Sequence, residues 1–288
     1  MIRERAPAKI NLTLHVIGRR PDGYHELESL VAFTGVADAL TLEPADALTL
    51  SVGGPTGVAA GAIDDNLVIK AARALAGRVE CVAPAAFALT KRLPVAAGVG
   101  GGSSDAAAAL RLLARANGIA LDDPRLMAAA RSVGADVPVC VEARARMMGG
   151  VGEQLGLALK LPPLFAVLVN PGVAVETRAV FTRMGLRDGE ASGFGKHPEI
   201  VDAMSFEQLL AALRKGRNDM EDAAIVIAPV ISDALAVIAA ARGCRLARMS
   251  GSGATCFGLF ETCASAAKAA KVIRRDHPGW WARATILR

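Results

Sequence analysis

Aromatic side chains are scarce in this chain. Phe, Trp and Tyr make up 4% of its 288 residues, and Tyr24 is the single tyrosine. Proteins that bind single-stranded nucleic acid stack bases on aromatics set among basic residues. No such stretch occurs here, although the net charge is +5. The basic balance suits small anionic substrates or an ordinary basic surface, and Arg274–Arg275 reads as a solvated helix end. Cysteine is sparse too. Cys81, Cys140, Cys244, Cys256 and Cys263 are odd in number and have no metal-ligand spacing, as expected of reduced thiols in the cytoplasm. Long apolar runs are absent as well. The longest, 223–241, is interrupted by Pro229 and Asp233 and reads as two core-facing helices, not as a membrane span. Arg3, Glu4 and Arg5 precede a short alternating run without a cleavage site, so no signal peptide is expected. The expected compartment is the cytoplasm, away from membranes. A monomer and a weak dimer are both left open.

What the chain does have is apolar bulk. Hydrophobic residues make up 52% and charged residues 21%, enough for a buried core, and much of the apolar content is alanine. The length suits two modest domains. The residues Ile10, Leu12, Leu14 and Val16 alternate with polar or small ones, the period of a half-buried strand, and a turn follows at 19–23. Further strands are expected at 27–33, 39–42, 48–52, 87–90 and 164–169, and a hairpin at 246–260. Helical spacing marks 66–77, 103–117, 124–133, 206–213 and 225–241. The stretch 186–200, rich in Gly, Ser and charge, is expected to be a mobile surface loop.

One stretch carries chemistry more clearly than any other. Gly98, Val99, Gly100, Gly101, Gly102, Ser103 and Ser104 stand between a strand and an alanine-rich helix. Adjacent glycines let backbone N–H groups converge on one point, since no Cβ blocks the approach. The helix that follows adds unpaired N–H groups and the positive end of its dipole. This is an anion site suited to a polyphosphate. A flexible turn with a serine cap would look similar. The loop lacks the Gly-Lys-Ser/Thr ending of the P-loop, and its setting is not that of a dinucleotide-binding strand and turn.

Pro94-x-x-x-Gly98-Val99-Gly100-Gly101-Gly102-Ser103-Ser104 resembles the phosphate-binding motif of the GHMP kinases. Two other segments agree with the resemblance. Pro7-Ala8-Lys9-Ile10-Asn11-Leu12 is similar to the family's N-terminal motif, and Met249-Ser250-Gly251-Ser252-Gly253-Ala254-Thr255 to its C-terminal glycine motif. Within the superfamily, Asp22-Gly23-Tyr24-His25-Glu26-Leu27 and Gly134-Ala135-Asp136-Val137-Pro138 resemble the branch whose acceptor is a cytidine diphosphate-linked methylerythritol, in the non-mevalonate route to isoprenoid precursors. Ala96, Ala97, Val99 and Val31 depart from the pattern and bear on the shape of the pockets.

The resemblance implies an α+β fold of two domains with the active cleft between them. The first, 1–155, would bind ATP, and the second, 156–288, would be ferredoxin-like. ATP and Mg2+ are implied as cofactors, and a small-molecule alcohol, not nucleic acid, as partner. Asp136 is a lone acid in an apolar segment and must find a partner. By resemblance it takes the proton of the substrate hydroxyl while Lys9 holds it charged. Read without the resemblance, Asp136 would be a helix cap and Lys9 an edge lysine. Tyr24 and His25 offer a cytosine ring a flat face and a polar edge, with Phe181 as the second aromatic, unless Phe181 is a core residue. The resemblance also implies that Asn11, Gly251 and Ser252 touch the substrate. It places Asn66 and Lys91 near the adenine, and Pro94, Gly98, Val99, Gly100, Gly101, Gly102, Ser103 and Ser104 around the phosphates. Other GHMP kinases, such as those acting on homoserine or phosphomevalonate, have no use for a Tyr-His pair. A metabolite sensor without catalysis has no use for Lys9 and Asp136.

Overall fold

The computed structural model describes residues 1–80 and 82–288, so the reading of Cys81 as a reduced thiol lies outside the described residues. In chain order the first elements are β1 (Ile2–Asn11), β2 (His15–Arg19), β3 (His25–Pro44), β4 (Thr49–Gly53), α1 (Leu67–Ala76), β5 (Ala85–Thr90) and α2 (Gly101–Ala116). Next come α3 (Pro124–Val133), α4 (Val137–Glu142), β6 (Arg146–Gly150), β7 (Gln154–Ala158), β8 (Leu164–Asn170) and α5 (Thr177–Met184). The last are α6 (Phe206–Lys215), α7 (Glu221–Ile227), α8 (Val230–Ala240), β9 (Cys244–Met249), β10 (Cys256–Phe260), α9 (Cys263–Asp276) and β11 (Trp281–Leu287). The mixture is α+β. No helix among the described residues is long and apolar enough to cross a membrane.

The chain forms two compact units, each made of separate stretches. The first comprises residues 1–9, 36–95 and 100–143. In it β4 runs parallel to β5, and β5 pairs antiparallel with residues 39–44 of β3. Helices α1, α2, α3 and α4 pack on one another. Alanine makes this possible: Ala106, Ala107, Ala108 and Ala109 are all fully buried on α2, so neighbours approach it closely without loss of side-chain freedom. Asp123 caps α3 by accepting from the Arg125 N–H, and Pro124 sits in the first turn where no N–H is needed.

The second unit comprises residues 10–35, 96–99 and 144–288. Here β2 and β6 both pair antiparallel with the first half of β3, and β6 also pairs with β7. An antiparallel ladder runs β11-β8-β10-β9, and β11 also pairs with β3 at Leu287 and Thr34. Helix α9 packs on β11, β8 and β10, and α8 on β9, β10 and β8. The strands and these helices follow a β-α-β-β-α-β order. Val167, Val169, Cys256 and Phe260 bury one face of this ladder with Ile231, Ala234, Ile238, Ala266, Ala270 and Ile273.

Several elements differ from expectation. The strand expected around residues 10–16 begins at Ile2 and breaks after Asn11, and residues 8–16 are buried throughout instead of on one face. Strands 27–33 and 39–42 are one strand of 20 residues, β3. The apolar run 223–241 does form two helices as expected, α7 and α8, parted at Pro229, which cannot continue a preceding helix. Segment 186–200 is mostly exposed, but it is pinned along β2. The Arg19 N–H donates to Glu190 O, the Gly189 N–H to Arg19 O and the Ser192 N–H to Ile17 O. A Cβ on Gly18 would lie 2.6 Å from Glu190 O, so only glycine admits this approach.

Candidate active site

In the first unit β1 delivers Lys9 and the turn before α4 delivers Asp136. Lys9 Nζ lies 2.7 Å from Asp136 Oδ2, with the lysine side chain 5% and the carboxylate 33% exposed. Asp136 occupies the N-cap position of α4, yet its side chain caps nothing and turns to Lys9 instead. Gly100 sits beside this pair. Its φ is +58°, and a Cβ there would lie 3.2 Å from Lys9 Cε, so glycine is required twice over. Helix α2 starts at the next residue with no side chain as cap, which leaves its first N–H groups without an intrahelical partner. The Ser104 hydroxyl donates to Pro7 O at 2.7 Å and ties α2 to β1. Nearby, burial pushes the Cys140 thiol up to about 12, so it stays protonated and takes no nucleophilic part.

Lys91 Nζ is held between two buried carboxylates, 2.5 Å from Asp38 Oδ2 and 2.7 Å from Asp105 Oδ2. Asp38 Oδ1 also accepts the backbone N–H groups of Arg92 and Leu93. Three chain segments are thereby clamped: β3, the connector after β5, and α2. Burial raises the Asp105 carboxyl to about 7, against the pull of the Lys91 charge. Asn66 is the N-cap of α1, its side chain accepting from the Val68 N–H at 2.9 Å.

The second unit holds the other expected residues. At Gly98 φ is +72°, and a Cβ would lie 2.4 Å from Ser250 O. Ser250 Oγ donates to Gly98 O at 3.0 Å and accepts from the Asn11 N–H at 3.1 Å. Gly251, at φ +57°, lies against Gly98 as well. The N-terminal motif residue Asn11, the start of the glycine loop and the turn at 250–253 therefore meet. Ser252 Oγ lies 2.8 Å from Thr177 Oγ1, at the start of α5, the helix that carries Phe181. Phe181 stacks on His25, with ring centroids 4.1 Å apart and planes 14° from parallel. His25 Nε2 is buried without a hydrogen-bond partner, and burial followed by the Arg19 charge lowers the imidazole pKa. Tyr24 is 64% exposed. The structure thus joins His25 to Phe181 face to face, a contact that the sequence did not show.

Two model descriptions match the chain: the GHMP kinases N terminal domain over residues 66–144 and the GHMP kinases C terminal over 199–278. A protein of Methylobacterium radiotolerans named 4-diphosphocytidyl-2-C-methyl-D-erythritol kinase is 59% identical over 289 residues, covering 100% of this chain and 99% of its own. The chain belongs to the GHMP kinases, on their 4-diphosphocytidyl-2-C-methyl-D-erythritol kinase branch. A crystal structure of 4-(cytidine 5'-diphospho)-2C-methyl-D-erythritol kinase superposes with a TM-score of 0.80 at 35% identity, covering 99% of both chains. Homoserine kinase from Cytophaga hutchinsonii shares the GHMP kinase fold at 17% identity and a TM-score of 0.68, covering 99% of this chain and 93% of its own.

Set in the GHMP kinase fold, Asp38, Asp105 and Thr177 are the polar residues that sequence reasoning passed over. Asp38 gave the same signal as Asp136, a lone acid in an apolar run (Val36-Ala37-Asp38-Ala39-Leu40). Asp105 directly follows the serine pair of the GHMP glycine motif. Thr177 carried no signal, since its partner Ser252 is remote in sequence.

Proposed function

We propose that this chain transfers the γ-phosphoryl group of ATP to the 2-hydroxyl of 4-diphosphocytidyl-2-C-methyl-D-erythritol, the kinase step of the non-mevalonate route to isoprenoid precursors. The observation that carries this reading is the Lys9–Asp136 pair beside Gly100. Phosphoryl transfer depends on positioning and charge neutralisation more than on covalent chemistry. Asp136 accepts the proton of the substrate hydroxyl. Lys9 holds the Asp136 carboxylate in place at 2.7 Å and neutralises negative charge on the oxygen as it attacks. The first N–H groups of α2, at Gly101, Gly102 and Ser103, cradle phosphate oxygens with the helix dipole behind them. In this reading Pro94, Gly98, Val99, Gly100 and Ser104 shape the glycine loop. Lys91 supports it through Asp38 and Asp105, and Asn66 opens the helix beside it.

Among the described residues no three of His, Cys, Asp and Glu gather as a metal site. Mg2+ fits this donor set as an ion held mainly by ATP phosphates and water, and when bound it supplies further charge neutralisation. Asn11, Gly251 and Ser252 serve the methylerythritol end. His25, backed by Phe181, reads the cytosine edge with its unpartnered Nε2, and Tyr24 closes on the exposed face of the base. The nucleotide and alcohol domains are drawn at 1–155 and 156–288, and the compartment is the cytoplasm.

A coupled ADP-release assay over several alcohols tests the reading. The cytidine substrate is expected to be phosphorylated and its uridine analogue to be poor, because exchanging a donor and an acceptor leaves buried polar groups unpaired. Faster turnover of homoserine or phosphomevalonate would defeat it.

A further inference from the structure

Ser29, in the first half of β3, is fully buried. Its hydroxyl has one hydrogen, and 2.6 Å away lies Thr13 O, a carbonyl that can only accept. The hydrogen therefore points to Thr13. Towards Asn11, 2.8 Å away, Ser29 Oγ offers only lone pairs, so Asn11 must present its Nδ2 amide nitrogen. The other end of the amide is fixed by elimination. Asn11 Oδ1 is buried with no donor, on the side of the turn at Gly251, where a Cβ would lie 3.5 Å from it. The Asn11 backbone is fixed by the same one-hydrogen logic: its N–H donates to Ser250 Oγ, whose own hydrogen goes to Gly98 O. Behind Ser29 the chain of bonds continues. His197 Nδ1 faces Pro198 O and so carries the ring hydrogen, which leaves Nε2 of the neutral ring to accept the Thr13 hydroxyl hydrogen, while Thr13 Oγ1 accepts the Leu30 N–H.

We propose that Ser29 is a positioning residue: it locks the Asn11 amide so that Oδ1 faces the turn at Gly251 as a bare acceptor, which takes a hydrogen from a hydroxyl of the alcohol substrate. This deepens the kinase reading above and rests on it. A buried acceptor left empty in the free protein is costly, and a substrate hydroxyl entering between Asn11 and the turn removes that cost. A substrate group that can only accept meets an oxygen it repels. The lock thereby selects a polyol at this end of the site.

Steady-state kinetics on the full chain with ATP and the cytidine diphosphate alcohol provides the test. Ser29→Ala frees the amide to rotate. It is expected to raise KM for the alcohol about tenfold or more while KM for ATP stays within about twofold. Ser29→Thr keeps the single hydroxyl hydrogen and is expected to hold the wild-type alcohol KM. An unchanged alcohol KM in folded Ser29→Ala overturns the proposal. So does an equal change in both KM values, which would mark a merely structural role. Should Ser29→Ala not fold, Asn11→Asp carries the test. An ionised carboxylate sets oxygen against the Ser29 lone pairs, whereas a protonated one can donate to Ser29 and leave its other oxygen bare. Activity relative to wild type should therefore be low at alkaline pH and recover towards acid pH, and a flat ratio overturns the lock. Wild-type protein with no activity on the alcohol overturns the kinase reading and the proposal with it. Active wild type with indifferent variants overturns the proposal alone.

Discussion

Asp136 stands where a helix cap belongs and caps nothing, because Lys9 holds its carboxylate. A group placed to take a proton contributes on the order of a hundredfold or more to rate. Asp136→Asn is therefore expected to lower kcat by about that factor with little change in ATP affinity, read by turnover and by titration with a fluorescent ATP analogue. Lys9→Ala should act on the same step, and the double variant should lose less than the two single losses multiplied together. Retention of most of the rate would remove Asp136 from the chemistry. His15 supports a different prediction. It is fully buried, accepts the Arg217 N–H at Nε2, and lies 4.5 Å from the His197 ring. Burial, then the charges of His197, Arg217 and Arg248, lowers its pKa from 6.5 to about 3. The folded form thus resists a proton that the unfolded chain accepts. Stability from this residue is complete above pH 6.5 and declines as pH falls towards 3, by on the order of 1 kcal/mol per pH unit. Urea midpoints measured across that range should show the slope, and His15→Gln should flatten it. An unchanged slope in the variant would assign acid lability elsewhere.

At the scale of elements, the join between the glycine stretch and α2 depends on a left-handed residue. Gly100→Ala forces a Cβ into a φ of +58° and against Lys9 Cε at 3.2 Å. The backbone strain alone is about 1–2 kcal/mol. Turnover should fall at least tenfold as Lys9 shifts from Asp136, with a modest drop in melting temperature. Wild-type turnover in Gly100→Ala would show that the approach is slack. This join was legible in the sequence because glycines before a serine-led alanine helix leave few alternatives. Helix α3 was legible from Pro124 and the apolar period behind it. Helix α4 was not, since Val137-Pro-Val-Cys-Val is an apolar run too short to show a period. The start of β1 was hidden by Glu4 and Pro7, which are poor strand formers. The role of Lys91 could not be read because Asp38 and Asp105 come to it from elsewhere in the chain, a tertiary fact with no local pattern. His25 and Phe181 were both named from the sequence. Their stacking on each other was not, because ring-on-ring contact depends on how α5 docks.

At the scale of the whole molecule, the α+β class and GHMP kinase membership followed from three short motifs spread along the chain, two of them placing glycines at positive φ and the third supplying Lys9 and Asn11. The interleaved units were not legible: residues 96–99 join one unit while both their neighbours in sequence join the other. One feature of the second unit bears on how this protein behaves in a crowded solution. Strand β2 pairs with β3 on one side, and on its other side residues 189–192 occupy Ile17 O, the Arg19 N–H and Arg19 O. An uncovered strand border is a template for another chain. The stretch 186–200 thus shields a sticky border, and its Gly- and Ser-rich composition does not make it dispensable. Replacing it with a short Gly-Ser linker should leave a monodisperse sample at low concentration that scatters more light as concentration rises. Lysine placed at Ile17, 36% exposed on that strand, should reverse the effect. Equal scattering from the shortened and intact chains would mean that the border is harmless without its cover.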